Sequence, residues 1–83
     1  MKMSTIKVEI FGKGCKSCDR LEENVRVASE NSNVNVDIVK IKDQDEFIER
    51  GVFKTPGLAV NGKVVSTGRV LTPDKINEYL SGE

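Results

Sequence analysis

Apolar residues change their spacing twice within the first 41 positions, and the order of those changes restricts the fold more than any other feature of the chain. From Thr5 to Phe11, Ile6, Val8 and Ile10 alternate with Lys7 and Glu9, the period of a strand with one buried face. Beyond Gly12, Lys13 and Gly14 the next apolar positions are Cys18, Leu21, Val25 and Ala28, spaced by three and four along one face of a helix. That helix is expected to begin at or beside Cys15. Its other face carries Asp19, Arg20, Glu22, Glu23 and Arg26 and reads as a solvated surface with one favourable pair, Glu22 and Arg26, a turn apart. Asn31, Ser32 and Asn33 form a polar turn, after which Val34, Val36, Ile38, Val39 and Ile41 supply the β-branched residues of a second strand. A strand, a helix and a strand in succession place the strands parallel through a right-handed crossover, so the second should lie beside the first.

The remainder completes a small α/β pattern. Gln44 to Arg50 reads as a short helix closed by Gly51. Asn61-Gly62 between Leu58-Ala59-Val60 and Lys63-Val64-Val65 is a strong hairpin signal, because both turn residues need positive φ. Ser66-Thr67-Gly68-Arg69 reads as a turn. Thr72 is an N-cap candidate with Pro73 in the first helical turn, and Ile76, Tyr79 and Leu80 give the last helix its buried stripe. The expected order is β-α-β-α-β-β-α, a four-stranded mixed sheet with helices on both faces, in one domain spanning residues 1–83. A chain of 83 residues buries only a modest core.

Charge and composition exclude several functions. Thirteen basic residues balance thirteen acidic ones, so no net field favours nucleic acid or an anionic membrane. The segment from Met1 to Thr5 has no apolar signal core, and no stretch is long enough to span a bilayer; a cytoplasmic protein is expected. A monomer is expected, although no heptad or sizeable exposed apolar stripe is legible to decide the oligomeric state.

The chemistry concentrates in Cys15-Lys16-Ser17-Cys18, which holds both cysteines of the chain. A disulfide closing so short a loop removes little entropy from the unfolded chain, so stapling is a poor explanation for the pair. At a helix N-terminus, unpaired backbone N–H groups and the positive end of the macrodipole favour a thiolate at Cys15, with Lys13 and Lys16 adding positive potential. The thiolate is the species that attacks a disulfide. Cys18, one turn deeper and in register with Leu21 and Val25, is placed to resolve the mixed disulfide formed on Cys15. The chain has no histidine, and thiol exchange requires neither a metal nor a cofactor. The rival reading is a Cys-x-x-C metal carrier, since two thiolates suit a soft ion such as Cu(I), while tetrahedral zinc would need two further ligands. A third is an interaction module using the hairpin edge, for which both cysteines would be dispensable.

Through Gly14-Cys15-Lys16-Ser17-Cys18 and Thr55-Pro56-Gly57-Leu58-Ala59-Val60-Asn61-Gly62, the chain resembles the thioredoxin superfamily in its shortest form, and the small glutaredoxin-like redox-disulfide proteins of bacteria and archaea. The resemblance implies a thiol-disulfide oxidoreductase acting on a protein or small-molecule disulfide, with a flavoprotein reductase as a plausible donor. It implies catalytic roles for Cys15 and Cys18, a substrate-facing surface of Gly14, Lys16, Ser17, Thr55 and Pro56, and a cis Thr55-Pro56 bond that leaves the Thr55 backbone open to an extended substrate. Metallochaperone domains end in a strand, whereas this chain is expected to end in a helix. Two departures stand out. Gly14 replaces the tryptophan that precedes the first cysteine in many thioredoxins, and Gly68-Arg69-Val70-Leu71-Thr72 replaces the Gly-Gly and acidic pair of glutaredoxins. Arg69 is then either a contact for a carboxylate or protein partner or a solvated turn residue. Glu9, six positions before Cys15, matches an acid that assists proton transfer in thioredoxins; strand alternation equally allows it to face solvent or pair with Lys7 or Lys42.

Overall fold

The structure is a computed structural model that describes residues 5–13 and 16–80, so the expectations for Gly14 and Cys15 lie outside the described residues. Seven elements follow in order: β1 (Thr5–Phe11), α1 (Lys16–Ser32), β2 (Asn35–Ile41), α2 (Gln44–Glu49), β3 (Gly57–Val60), β4 (Lys63–Thr67) and α3 (Pro73–Leu80). The strands form one sheet in the order β2-β1-β3-β4. The β1 and β2 strands are parallel, from Thr5 opposite Asn35 to Phe11 opposite Ile41. The β3 strand runs antiparallel to β1, with Glu9 opposite Ala59 and Phe11 opposite Gly57.

Strand alternation divides the core between the two faces. Val8, Ile10 and Leu58 pack beneath α1 and α3 against Leu21, Val25, Ala28, Ile76 and Leu80. On the opposite face Phe11 and Ala59 pack with Phe47 of α2 and with Val52. The Phe11 and Phe47 rings meet edge to face at 5.9 Å, a favoured aromatic geometry. All four positions read as the inner face of the first helix, Cys18, Leu21, Val25 and Ala28, are buried.

Local chemistry explains the ends of the elements. Asn33 takes a φ of 59°, and the Val34 N–H donates to the Ser29 carbonyl at 3.1 Å, the wrap that closes a helix through a left-handed residue. Asn31 and Ser32, read from sequence as turn, are therefore still helix. The Asp43 side chain accepts the Asp45 N–H at 3.0 Å and caps α2. Thr72 Oγ1 accepts the Lys75 N–H at 3.3 Å at the start of α3. Asn61 and Gly62 have φ of 53° and 87°, as their hairpin turn requires.

The last strand is longer than its sequence suggests. Ser66 and Thr67, read as turn, instead pair with Leu58 and Gly57. They complete an edge strand, where polar residues face water while their backbones stay in the ladder. A bulge between Leu58 and Ala59 shifts this register, letting Val64 pack toward Phe11 and Val65 toward the α1 and α3 side. The reversal itself falls at Gly68, with a φ of 74°. Tyr79 is half-buried, so Ile76 and Leu80 form the buried stripe of α3. Asn24 Nδ2 donates to the Leu71 carbonyl at 2.8 Å, tying α1 to the segment that introduces α3. Among the described residues no helix is long and apolar enough to cross a membrane.

Candidate active site

Cys18 lies in the first turn of α1, and the close approach of this turn to the end of β1 is set by a glycine. Cys18 is 6% exposed, and a Cβ placed on Gly12 would lie 2.1 Å from its sulfur. No residue with a side chain fits at position 12 unless the sulfur moves. The Gly12 N–H donates to the Ile41 carbonyl at 3.0 Å, fixing this backbone to the end of β2. Sequence reading treated Gly12 only as a break in the strand pattern; the contact that makes it matter is tertiary.

Pro56 reaches the same end of the sheet through the antiparallel register. Phe11 pairs with Gly57, so the next position along each chain is Gly12 on one side and Pro56 on the other. Pro56 is buried, the Thr55-Pro56 peptide bond is cis, and the Pro56 carbonyl accepts the Gly68 N–H at 2.9 Å. Thr55 is exposed, as are Lys16 and Ser17 in the first turn of α1. Phe53, two residues before Thr55, is 79% exposed, an apolar side chain that sequence periodicity did not flag. Arg69 is exposed in the loop after Gly68. Lys13 is exposed and its ammonium donates to Gln44 Oε1 at 3.1 Å.

Glu9 faces away from this assembly. It is 5% exposed and shares the α2 side of β1 with Phe11. Its partner is Arg50, at the C-cap of α2, which donates through two nitrogens at 2.8 and 3.1 Å. Arg50 also donates to the Gly62 carbonyl at 3.1 Å and stands 5.3 Å from the Phe11 ring centroid. Lys7 contributes at 4.0 Å; Lys42 is not a partner. The Arg50 hydrogen bonds hold the Glu9 carboxyl below the usual carboxylate range, outweighing the opposing effect of burial, and Arg50 is correspondingly raised.

A cleft of about 120 Å³ opens beside Cys18, lined by Ile10, Gly12, Asp19, Lys40 and Lys42. Lys40 is bound at 2.8 Å by Glu22, which also holds Arg26 at 2.6 Å. The helix face read as merely solvated therefore carries a strand-to-helix ion pair. The bond from Lys40 lowers the Glu22 carboxyl, and Glu22 in turn raises Lys40. A larger cavity, near 730 Å³, lies at the other end of β1 among Ile6, Asn61 and Tyr79, remote from the cysteine motif. Among the described residues no group of three or more His, Cys, Asp or Glu is placed to hold a metal ion.

Residues 5–81 match the family described as thioredoxin domain. The chain is 38% identical over 76 residues to a thioredoxin of Methanothermobacter thermautotrophicus, covering 92% of this chain and 99% of that protein. It is 37% identical over 82 residues to a thioredoxin of Methanocaldococcus jannaschii, covering 94% of each. Among solved structures it superposes on a malarial protein with a TM-score of 0.69 at 12% identity, covering 94% of this chain and 96% of that one. Oxidised thioredoxin from Plasmodium falciparum matches with a TM-score of 0.58 at 16% identity, covering 93% of this chain and 82% of the other.

Proposed function

The chain belongs to the thioredoxin family, and from that premise we propose that it is a thiol-disulfide oxidoreductase whose Cys15 and Cys18 exchange electrons with the disulfide of a protein or small molecule. The observation that carries the site assignment is the seat of Cys18. It is buried in the first turn of α1 with its sulfur against Gly12, which lies at the same end of the sheet as Pro56, and Cys15 stands three residues ahead in sequence.

The reaction runs in two displacements. The Cys15 thiolate, favoured by its position ahead of the helix, attacks one sulfur of the substrate disulfide and expels the other as a thiolate. Cys18, once deprotonated, attacks the Cys15 sulfur of the mixed disulfide, and the second substrate sulfur leaves with the electron pair. Two protein thiols are oxidised to one disulfide and the substrate disulfide is reduced to two thiols. An extended substrate segment pairs with the backbone of the exposed residue Thr55 beside Pro56, while Lys16 and Ser17 border the approach, with Gly14 two residues ahead of Lys16 in sequence. A flavoprotein reductase would return the electrons, and a reducing cytoplasm suits such a cycle. The Cys-x-x-C metal-carrier reading has no support in the thioredoxin relatives or in an element order that ends on α3.

Redox titration of the purified protein, read by thiol alkylation, tests this function. The expected result is one reversible two-electron couple, with Cys15 alkylating faster than Cys18. Cys15→Ser should abolish disulfide reduction, and Cys18→Ser should accumulate mixed disulfides. Equal, slow alkylation of both cysteines, or normal turnover by Cys18→Ser, would overturn the assignment.

A further inference from the structure

Resolution of the mixed disulfide requires Cys18 to lose a proton, and the strand acid that sequence reading offered for this task is turned away. Glu9 leaves β1 on the α2 face with both oxygens bound by Arg50, whereas Cys18 lies on the α1 face against Gly12. We propose that Cys18 releases its proton to water in the cleft bounded by Asp19, Lys40 and Lys42, and that the Lys42 ammonium acts as a positioning group by favouring the Cys18 thiolate. This inference rests on the oxidoreductase reading of Cys15 and Cys18.

The cleft has the size and character that the step needs. Its volume of about 120 Å³ accommodates a few water molecules at roughly 30 Å³ each. Ile10 pairs with Lys40 across the β1 and β2 ladder, and Gly12 is bonded to Ile41. Lys42 therefore emerges beside the glycine on which the sulfur rests. Among the described residues, the charges bordering the cleft can be assigned element by element. On α1, Asp19 borders the cleft and Glu22 is engaged by Lys40 and Arg26; Lys16 is exposed at the start of the helix. From β2 come Lys40, largely compensated by Glu22 at 2.8 Å, and Lys42, which has no ion-pair partner among the described residues. In the loop after β1, Lys13 is bonded to Gln44. Pro56 and Thr55 bring no charge. Among the described residues that line the cleft, Lys42 is thus the cation without an ion-pair partner, and a positive charge near a thiol favours its ionised form.

In the step itself the Cys18 thiol gives its proton to cleft water, and the resulting thiolate forms a bond to the Cys15 sulfur. The bond between Cys15 and the substrate breaks, its electron pair stays on the substrate sulfur, and that sulfur takes a proton from solvent. Asp19 lies on the same rim with the opposite sign, so its removal should act against the loss of Lys42.

The test is the pH titration of Cys18 by the carbon chemical shift of its Cβ in the reduced full chain, for wild type, Lys42→Gln, Lys42→Arg, Asp19→Asn and Glu9→Gln. One exposed charge on the cleft rim should move the midpoint by about half a pH unit. Lys42→Gln is expected to raise it by that amount, Lys42→Arg to leave it in place, Asp19→Asn to lower it and Glu9→Gln to leave it unchanged. Single-turnover decay of a mixed disulfide with a small chromogenic disulfide should slow about threefold in Lys42→Gln at neutral pH, and 1 M salt, with a Debye length of about 3 Å, should shrink the difference. An unmoved Cys18 midpoint in Lys42→Gln, or a midpoint that follows Glu9→Gln instead, overturns the proposal. Because the titration is read on Cys18 without turnover, it gives its answer even if the chain forms no mixed disulfide, the result that would defeat the oxidoreductase reading instead.

Discussion

Val8 and Ile10 leave β1 on one side and Glu9 and Phe11 on the other, and the two sides of the sheet are closed by different forces. Under α1 and α3 the contact is apolar and continuous, from Leu21 and Val25 to Ile76 and Leu80. Under α2 a smaller apolar cluster shares the face with a buried carboxylate, and one guanidinium joins β1, the end of α2 and the turn at Gly62. The apolar side supplies most of the hydrophobic driving force, which scales with area removed from water. The ion pair must first offset the desolvation of its charges, so its net contribution is small while the loss of one partner is costly. The helix bearing Cys18 therefore rests on the side with the deeper core, and the α2 side is held by orientation more than by area.

The most severe disruption of this contrast should come from Leu21→Ala, which opens a cavity under α1. A cost of about 3–4 kcal/mol is expected, a large fraction of the roughly 4–12 kcal/mol that a chain of this length commands; urea unfolding would measure it. Glu9→Ala should cost less, about 2 kcal/mol, because Arg50 retains Gly62 and Phe11 and part of its guanidinium reaches water. A loss as large as that of Leu21→Ala would show the two faces to be equally important. Gly12→Ala belongs to the apolar side yet should act chiefly on the site. Displacement of the Cys18 sulfur should slow resolution of mixed disulfides at least tenfold, with a smaller loss of stability, seen by comparing turnover with thermal melting.

The pH dependence separates the two faces further. Glu9 has a folded-state pKa below its ordinary value of 4.5, so its contribution is complete above that pH and disappears as pH falls through the lower, folded value. The difference in melting temperature between wild type and Glu9→Gln should therefore be constant near neutrality and shrink below pH 4.5. A difference unchanged into strong acid would mean that Arg50 does not stabilise the ionised form. The smallest effect is expected from Glu22→Gln on the outer surface of α1. Its partners Arg26 and Lys40 are largely exposed, so melting should fall by only about 1–2 °C, and less in high salt.

These regions also differ in how openly the sequence declares them. The β1-α1-β2 unit was legible because its periods of two and of three to four are local properties, and the hairpin because Asn61-Gly62 demands a backbone few residues adopt. Cys18 was placed correctly on the buried stripe by the same periodicity. The partner of Glu9 was not legible. Arg50 lies 41 residues away, and its role depends on where a six-residue helix ends against the sheet. The full length of β4 was hidden for a related reason: Ser66 and Thr67 look like turn residues, and only pairing with Leu58 and Gly57 makes them strand. The importance of Gly12 was hidden as well, because its constraint comes from a sulfur atom on the next element.

The bulge opposite Leu58 and Ala59 bears on how one rim of this small sheet would meet another chain. One of the two outer strands of the sheet is β4, the other being β2, and an outer strand leaves a row of backbone groups unpaired within the sheet. An irregular step within this short ribbon bends and twists it, so a second molecule approaching along the rim finds no straight template on which to align. Along that rim the chain should accordingly resist edge-to-edge pairing through backbone shape, in a molecule whose formal charges cancel.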